Sequence, residues 1–195
     1  MSILTGFGIF LHSSMCPNWI SILILDLSRN NLIGQLPLCL EDFQALGILD
    51  LSYNNLDSML TNIFHSPYLY WLQLSHNNLS ELLPSSIEAY SSLLSLDFSG
   101  NWFSGSIPRW LGENVSKLVI KNPRSNMFQG NMPPQLSLLS SVHILDLANN
   151  RLSGKIPTSF GNFTSMAMTP WKHGRIVSLG DLSLWGICNS GYERD

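Results

Sequence analysis

Between Val142 and Pro157 the chain reads VHILDLANNRLSGKIP, with apolar residues at Val142, Leu145, Leu147, Leu152 and Ile156. The alternation through Leu145 and Leu147 predicts a short strand, and the Asn, Gly and Pro that follow predict a turn leading away from it. One strand and one turn cannot bury an apolar face alone, so the unit needs neighbours built like itself. Those neighbours are present at Ile22–Pro37, Leu46–Thr61, Leu69–Pro84, Leu93–Pro108 and, in a more degraded form, Leu118–Pro133. An asparagine leaves each strand, at Asn30, Asn54, Asn77, Asn101, Asn126 and Asn150, in steps of 24, 23, 24, 25 and 24 residues. Such a period predicts a solenoid of stacked coils.

Within each coil, Leu25/Leu27, Leu49/Leu51, Leu72/Leu74, Leu96/Phe98 and Leu145/Leu147 are expected to point inward. Stacking then sets the strands side by side in one parallel sheet, about 4.8 Å apart. Gly34, Gly105 and Gly154 allow a tight path after the strand, and the proline behind them suits an extended return. Segments such as Leu38–Ala45 and Ser85–Ser91 are expected to form short helical or 3₁₀ turns on the convex side. The six asparagines read as a structural ladder, because a buried amide must find backbone partners in adjacent coils.

The fifth copy breaks the pattern with Lys121 and Pro123 where apolar residues belong. An unpaired buried lysine costs several kcal/mol, and proline removes a donor from a central strand. A bulge turning Lys121 outward, a local distortion and a decayed coding sequence all fit this copy.

The unit LxxLxLxxNxLxGxIP, repeated from about Ile22 to Pro157, resembles the plant-specific leucine-rich repeat of extracellular receptor-like proteins and receptor kinases. The stretch Pro108–Glu113, then Leu118–Ile120 and Arg124–Asn126, resembles a segment near the end of receptor-like protein ectodomains. The resemblance implies an α/β leucine-rich-repeat solenoid: a right-handed coil with a parallel sheet on its concave face and short turns on its convex face. It also implies a ligand-recognition module at the cell surface, with a protein, peptide or glycan as ligand and a co-receptor kinase as signalling partner. A secreted inhibitor of cell-wall-degrading enzymes resembles the same repeat, but paired cap cysteines and a clean signal peptide are missing here. A truncated, non-functional product is the third reading.

Three regions follow: an irregular start at 1–21, six repeats at 22–165, and a non-repeat tail at 166–195. The start lacks some four residues of loop before Ile22, so Met1–Ser14 is expected to be poorly ordered. Tyr192–Asp195 resembles the beginning of the island that interrupts such solenoids. An improvised cover over the last coil is the other reading of the tail.

Charged residues make up 12% of the 195, about half the usual share. A net charge of −3 supplies no basic footprint for nucleic acid. Cys16, Cys39 and Cys188 form no zinc-type spacing, and a Cys16–Cys188 bridge is implausible across six coils. No run of eighteen apolar residues offers a membrane span, and Ile3–Leu11 lacks the positive flank of a signal peptide. Sequons at Asn78, Asn114 and Asn162 favour a secretory origin.

Catalytic and cofactor signatures are missing, including nucleophile elbow, phosphate loop, zinc helix and kinase motifs. The column Asp26, Asp50, Gln73, Asp97, Asn122 and Asp146 sets carboxylates near the separation used by retaining glycosidases. Yet the face is shallow and Leu-Asp-Leu-Ser is the repeat's ordinary strand, so the chain reads as a non-enzyme. The binding candidates are outward side chains of the strands and their exits: Arg29, Tyr53, Trp71, Gln73, His76 and Asp97, whose aromatic and arginine content suits interface anchors. Ile24, Ile48, Ser52, Ser95 and Ser99 are expected on the same outward face.

Overall fold

The computed structural model describes residues 21–34, 43–57, 66–113, 118, 120–142 and 144–162. The expected disorder of Met1–Ser14, the three cysteines, most of the Leu38–Ala45 turn, Asn114 and the tail at 166–195 lie outside these residues.

Six strands form one parallel sheet in chain order, one from each coil. They are β1 (Ile24–Asp26), β3 (Ile48–Asp50), β5 (Trp71–Gln73), β7 (Ser95–Asp97), β9 (Ile120–Asn122) and β11 (Ile144–Leu145). Their register is uninterrupted: Leu25, Leu49, Leu72, Leu96, Lys121 and Leu145 stand side by side. The inward leucines from 49 to 96 are fully buried, as are Leu51, Leu74 and Phe98 one step further on. Leu27, Leu145 and Leu147, in the outermost described coils, are only partly buried.

The fifth coil keeps its place without a bulge, and the backbone of Lys121 pairs in register between Leu96 and Leu145. Backbone pairing explains how proline is tolerated just past this strand. In the coils before it, Leu27, Leu51, Leu74 and Phe98 donate their N–H to the next coil. Pro123 has none to give, but the rung two residues later persists, Ser125 N–H donating to Ala148 O at 2.9 Å. One rung is forfeited and the ladder resumes.

A second set of strand pairs, absent from the sequence-based expectations, follows each coil's turn. Ile33–Gly34 (β2) pairs with Asn55–Leu56 (β4), Ser80–Leu82 (β6) with Trp102–Ser104 (β8), and Gln129–Asn131 (β10) with Arg151–Ser153 (β12). The segments are two or three residues long and carry no more than one alternation, too little for a period to register. On the far side, 3₁₀ turns at Ser85–Ala89, Pro134–Leu138 and Thr158–Asn162 alternate with a short helix, α1 (Trp110–Glu113). Gly112 of that helix is buried so closely that a Cβ would run into the backbone of Gln135 and Leu136.

Phe98, Phe103 and Phe128 fill the middle of the core as one aromatic cluster. Phe98 meets the other two edge-on, at ring-centroid distances of 5.8 and 6.0 Å. Edge-to-face pairs of this kind add about 0.5–1.5 kcal/mol each beyond area burial.

Candidate ligand-binding face

Three columns of side chains run across the outer face of the main sheet. The first, at the strand starts, holds Ile24, Ile48, Trp71, Ser95 and Ile144. Ile24 and Ile144 are exposed, and Ile48 and Trp71 are half-buried. Ser95 departs from the expected outward position. It is buried, because its small side chain lies in register beside Trp71 and takes a hydrogen bond from Gln73 Nε2 at 3.3 Å. Ser52 and Ser99 are likewise buried rather than presented to solvent. Both follow an aspartate by two residues and are folded back by the turn that aspartate makes.

That turn accounts for the second column. Asp26, Asp50, Asp97 and Asp146 each accept the backbone N–H two residues ahead, at 2.9 Å in all four coils. Asparagine at 122 accepts from Arg124 N–H in the same way at 3.3 Å. A carboxylate that bonds its own backbone ends a strand, so aspartate here is part of the turn chemistry. The second oxygens are used unequally. Asp97 Oδ2 accepts from Asn122 at 3.3 Å, and Asp146 Oδ2 pairs with Arg124 at 3.1 Å. The Ala148 N–H, helped by Arg124, holds the Asp146 carboxyl below the ordinary value. Burial pushes the Asp50 carboxyl up, with repulsion from Asp26 and Asp97 adding to it and two Ser52 bonds opposing it.

The third column is the residue just before each ladder asparagine. Arg29, Tyr53, His76, Gly100, Ser125 and Asn149 all take the left-handed conformation, with φ between 54° and 63°. Five of the six carry a Cβ, so this geometry costs roughly 1 kcal/mol at each such coil. The asparagine that follows holds it in place. Asn54, Asn77, Asn101, Asn126 and Asn150 each donate to a carbonyl of the coil before, at 2.9–3.0 Å. Each also accepts a backbone N–H of that coil at 3.0–3.1 Å. Asn30 bonds Leu27 O and Ser28 O within its own coil.

Because the left-handed residues recur at one place in consecutive coils, their side chains stack. The Arg29 guanidinium lies 4.5 Å from the Tyr53 ring centroid. Tyr53 and His76 stack at 4.4 Å with planes 17° apart. The fourth position is Gly100, where a Cβ would come within 2.9 Å of His76 Nδ1, so the imidazole rests on bare backbone. Spacing alone identified Arg29, Tyr53 and His76 as neighbours but gave no sign of the stack or of Gly100 beneath it. Trp71, Gln73 and Asp97 sit on the same face, all half-buried. Of the sequons, Asn78 and Asn162 are exposed. Among the described residues no cluster of His, Cys, Asp and Glu is arranged to hold a metal, and no helix is long and apolar enough to cross a membrane.

An in-register sheet, an inter-coil asparagine ladder and a period of about 24 residues together define a leucine-rich-repeat solenoid. The Leucine Rich Repeat family pattern matches residues 21–43, 68–89, 92–114 and 141–163. The chain carries leucine-rich repeats, and over them it is similar to plant receptor-like proteins. It is 37% identical to Receptor-like protein 53 of Arabidopsis thaliana over 121 residues, which cover 62% of this chain and 13% of that one. Against Receptor-like protein EIX2 of Solanum lycopersicum it is 38% identical over 122 residues, 62% of this chain and 12% of the relative. The chain thus spans only about an eighth of the curated relatives it matches. Among solved structures, the Arabidopsis receptor kinase HAESA in complex with the peptide hormone IDA and the co-receptor SERK1 superposes with a TM-score of 0.67 at 36% identity. That match covers 73% of this chain and 24% of that one. PEPR1–AtPEP1 gives 0.68 at 31% identity, covering 73% and 20%.

Proposed function

We propose that this chain is the recognition surface of an extracellular leucine-rich-repeat receptor, binding a peptide or protein ligand across its first four coils. One observation carries the reading. Arg29, Tyr53 and His76 form a pre-stacked edge seated on Gly100, and Trp71, Gln73 and Asp97 lie on the face it borders. Aromatic and arginine side chains already held in one arrangement lose little entropy on binding, which is what an interface anchor requires. The later coils offer less, since Arg124 and Asp146 are spent on each other. Signalling through a partner kinase, and a position at the plasma membrane, extend the same reading from the relatives. Nothing in the described residues favours a reaction, because the carboxylate column is committed to strand-ending turns.

The test begins with peptides from leaf apoplastic fluid retained by the immobilised chain and identified by mass spectrometry. A synthetic copy is then titrated calorimetrically against the wild type and against Arg29→Ala/Tyr53→Ala/Trp71→Ala. Losing even one anchor of about 2 kcal/mol weakens binding roughly thirtyfold, so the triple variant is expected to fall at least that far. Equal affinity of the two proteins would remove this face as the binding site.

A further inference from the structure

The flank carrying the second strand pairs has an apolar residue in need of cover. Trp102, at the start of β8, is 57% exposed, while the next residue, Phe103, is buried in the core. In register beside Trp102 stands Ser80, and Ser80 closes the sequon Asn78-Leu79-Ser80. The backbone joins the two segments directly, since Trp102 N–H donates to Leu79 O at 2.7 Å. Leu79 is buried and Asn78 exposed, so alternation puts the Asn78 amide on the outer side, with Ser80 and Trp102. One strand spacing across and two residues along separates Asn78 from Trp102 by roughly 8 Å between Cα atoms. A sugar attached at Asn78 therefore begins within reach of the indole face.

We propose that Asn78 carries an N-linked glycan whose core sugars lie over Trp102 and cover this apolar flank. Attachment transfers an oligosaccharide from a lipid pyrophosphate donor. The bond from the sugar C1 to the pyrophosphate oxygen breaks, C1 bonds to Asn78 Nδ2, one amide proton is lost, and the lipid pyrophosphate leaves. The apolar C–H faces of the sugar then meet the indole's π-face, while the sugar hydroxyls stay in water. The main sheet is left open, because Asn78 lies past the strand exit, two residues beyond His76 in the chain. The described sequon at Asn162 is not so placed, since it ends a 3₁₀ turn on the opposite side. The proposal shares with the receptor reading only its requirement that the chain pass through the secretory pathway.

The experiment expresses the full chain through the secretory pathway of plant cells and maps sugar at all three sequons by peptide mass spectrometry. Hydroxyl-radical footprinting then measures Trp102 oxidation in three samples: the glycoprotein, the folded glycoprotein after enzymatic removal of its sugars, and Asn78→Gln. The expected result is sugar at Asn78 and Trp102 oxidation that rises about twofold when it is removed, since a sugar covers one of the ring's two faces. If Asn78→Gln is not secreted, the enzymatically trimmed protein supplies the comparison. Sugar at Asn114 or Asn162 but not at Asn78 overturns the proposal and leaves the receptor reading standing. Sugar at none of them likewise overturns the proposal alone, since the receptor reading rests on ligand binding and needs no glycan. A glycan at Asn78 with unchanged Trp102 oxidation overturns the covering role.

Discussion

Replacing Asn101 by alanine tests the asparagine ladder at one of its deeply buried positions. The side chain is 5% exposed and makes four bonds. Its Nδ2 donates to Leu74 O at 2.9 Å, Phe98 O at 3.1 Å and Ser99 O at 3.2 Å, and its Oδ1 accepts from Leu79 N–H at 3.1 Å. The three carbonyls each keep another donor: Asn77 Nδ2 for Leu74, Asn126 Nδ2 for Phe98 and His76 N–H for Ser99. Leu79 N–H is the group left stranded. An unsatisfied buried donor costs about 1–3 kcal/mol, and the weakened carbonyls add about 1 more, so a loss of roughly 2–4 kcal/mol is expected. Asn150 supplies the internal comparison. It makes the equivalent bonds to Pro123 O, Leu147 O, Ala148 O and Phe128 N–H, but it is only half-buried. Water replaces part of what alanine removes there, and the loss should stay near 1 kcal/mol or below. Urea unfolding followed by far-UV circular dichroism and tryptophan fluorescence measures both. Equal losses for the two variants, or a loss below about 1 kcal/mol for Asn101→Ala, would show that burial of the ladder does not set its worth.

Three further predictions follow from close packing, stacking and charge. Gly112→Ala drives a methyl group into the backbone of the neighbouring turn, which cannot give way as a side chain does; a loss of about 3 kcal/mol or more is expected in the same unfolding assay. Gly100→Ala puts a methyl group under the His76 ring and a Cβ at φ +63°, so it costs about 1 kcal/mol and unstacks the imidazole. Unchanged ring-current shifts of the His76 protons by NMR would refute that. Asp50→Asn tests the raised carboxyl. The folded state holds this proton more tightly than the unfolded chain, so stability falls as pH rises from about 3.8 through the folded-state value. The asparagine variant, which can still accept both Ser52 bonds, should lose that fall and be more stable at neutral pH. A stability–pH curve parallel to the wild type's would contradict this.

The chain's own order of residues decided a great deal: a period near 24, an inward apolar pair in five of the six coils, and one ladder asparagine per coil. Those features are legible because five of the six copies repeat the same local choice, and repetition turns a weak preference into a strong pattern. The inward set from Leu49 to Phe98 follows directly from that alternation. Other features depend on what one coil does to the next. Ser52, Ser95 and Ser99 sit at outward places by parity and are nonetheless covered, because a turn or a larger neighbour in the adjacent coil closes over them. The strand at Ile120–Asn122 looks ruined in one dimension but keeps its register, since pairing on both sides restrains it where local preference does not. Arg29, Tyr53, His76 and Gly100 are spread over more than seventy residues of chain. Only stacking the coils brings a cation, two rings and a bare backbone into one column, because contact across coils depends on strand spacing and left-handed exits that no single repeat contains.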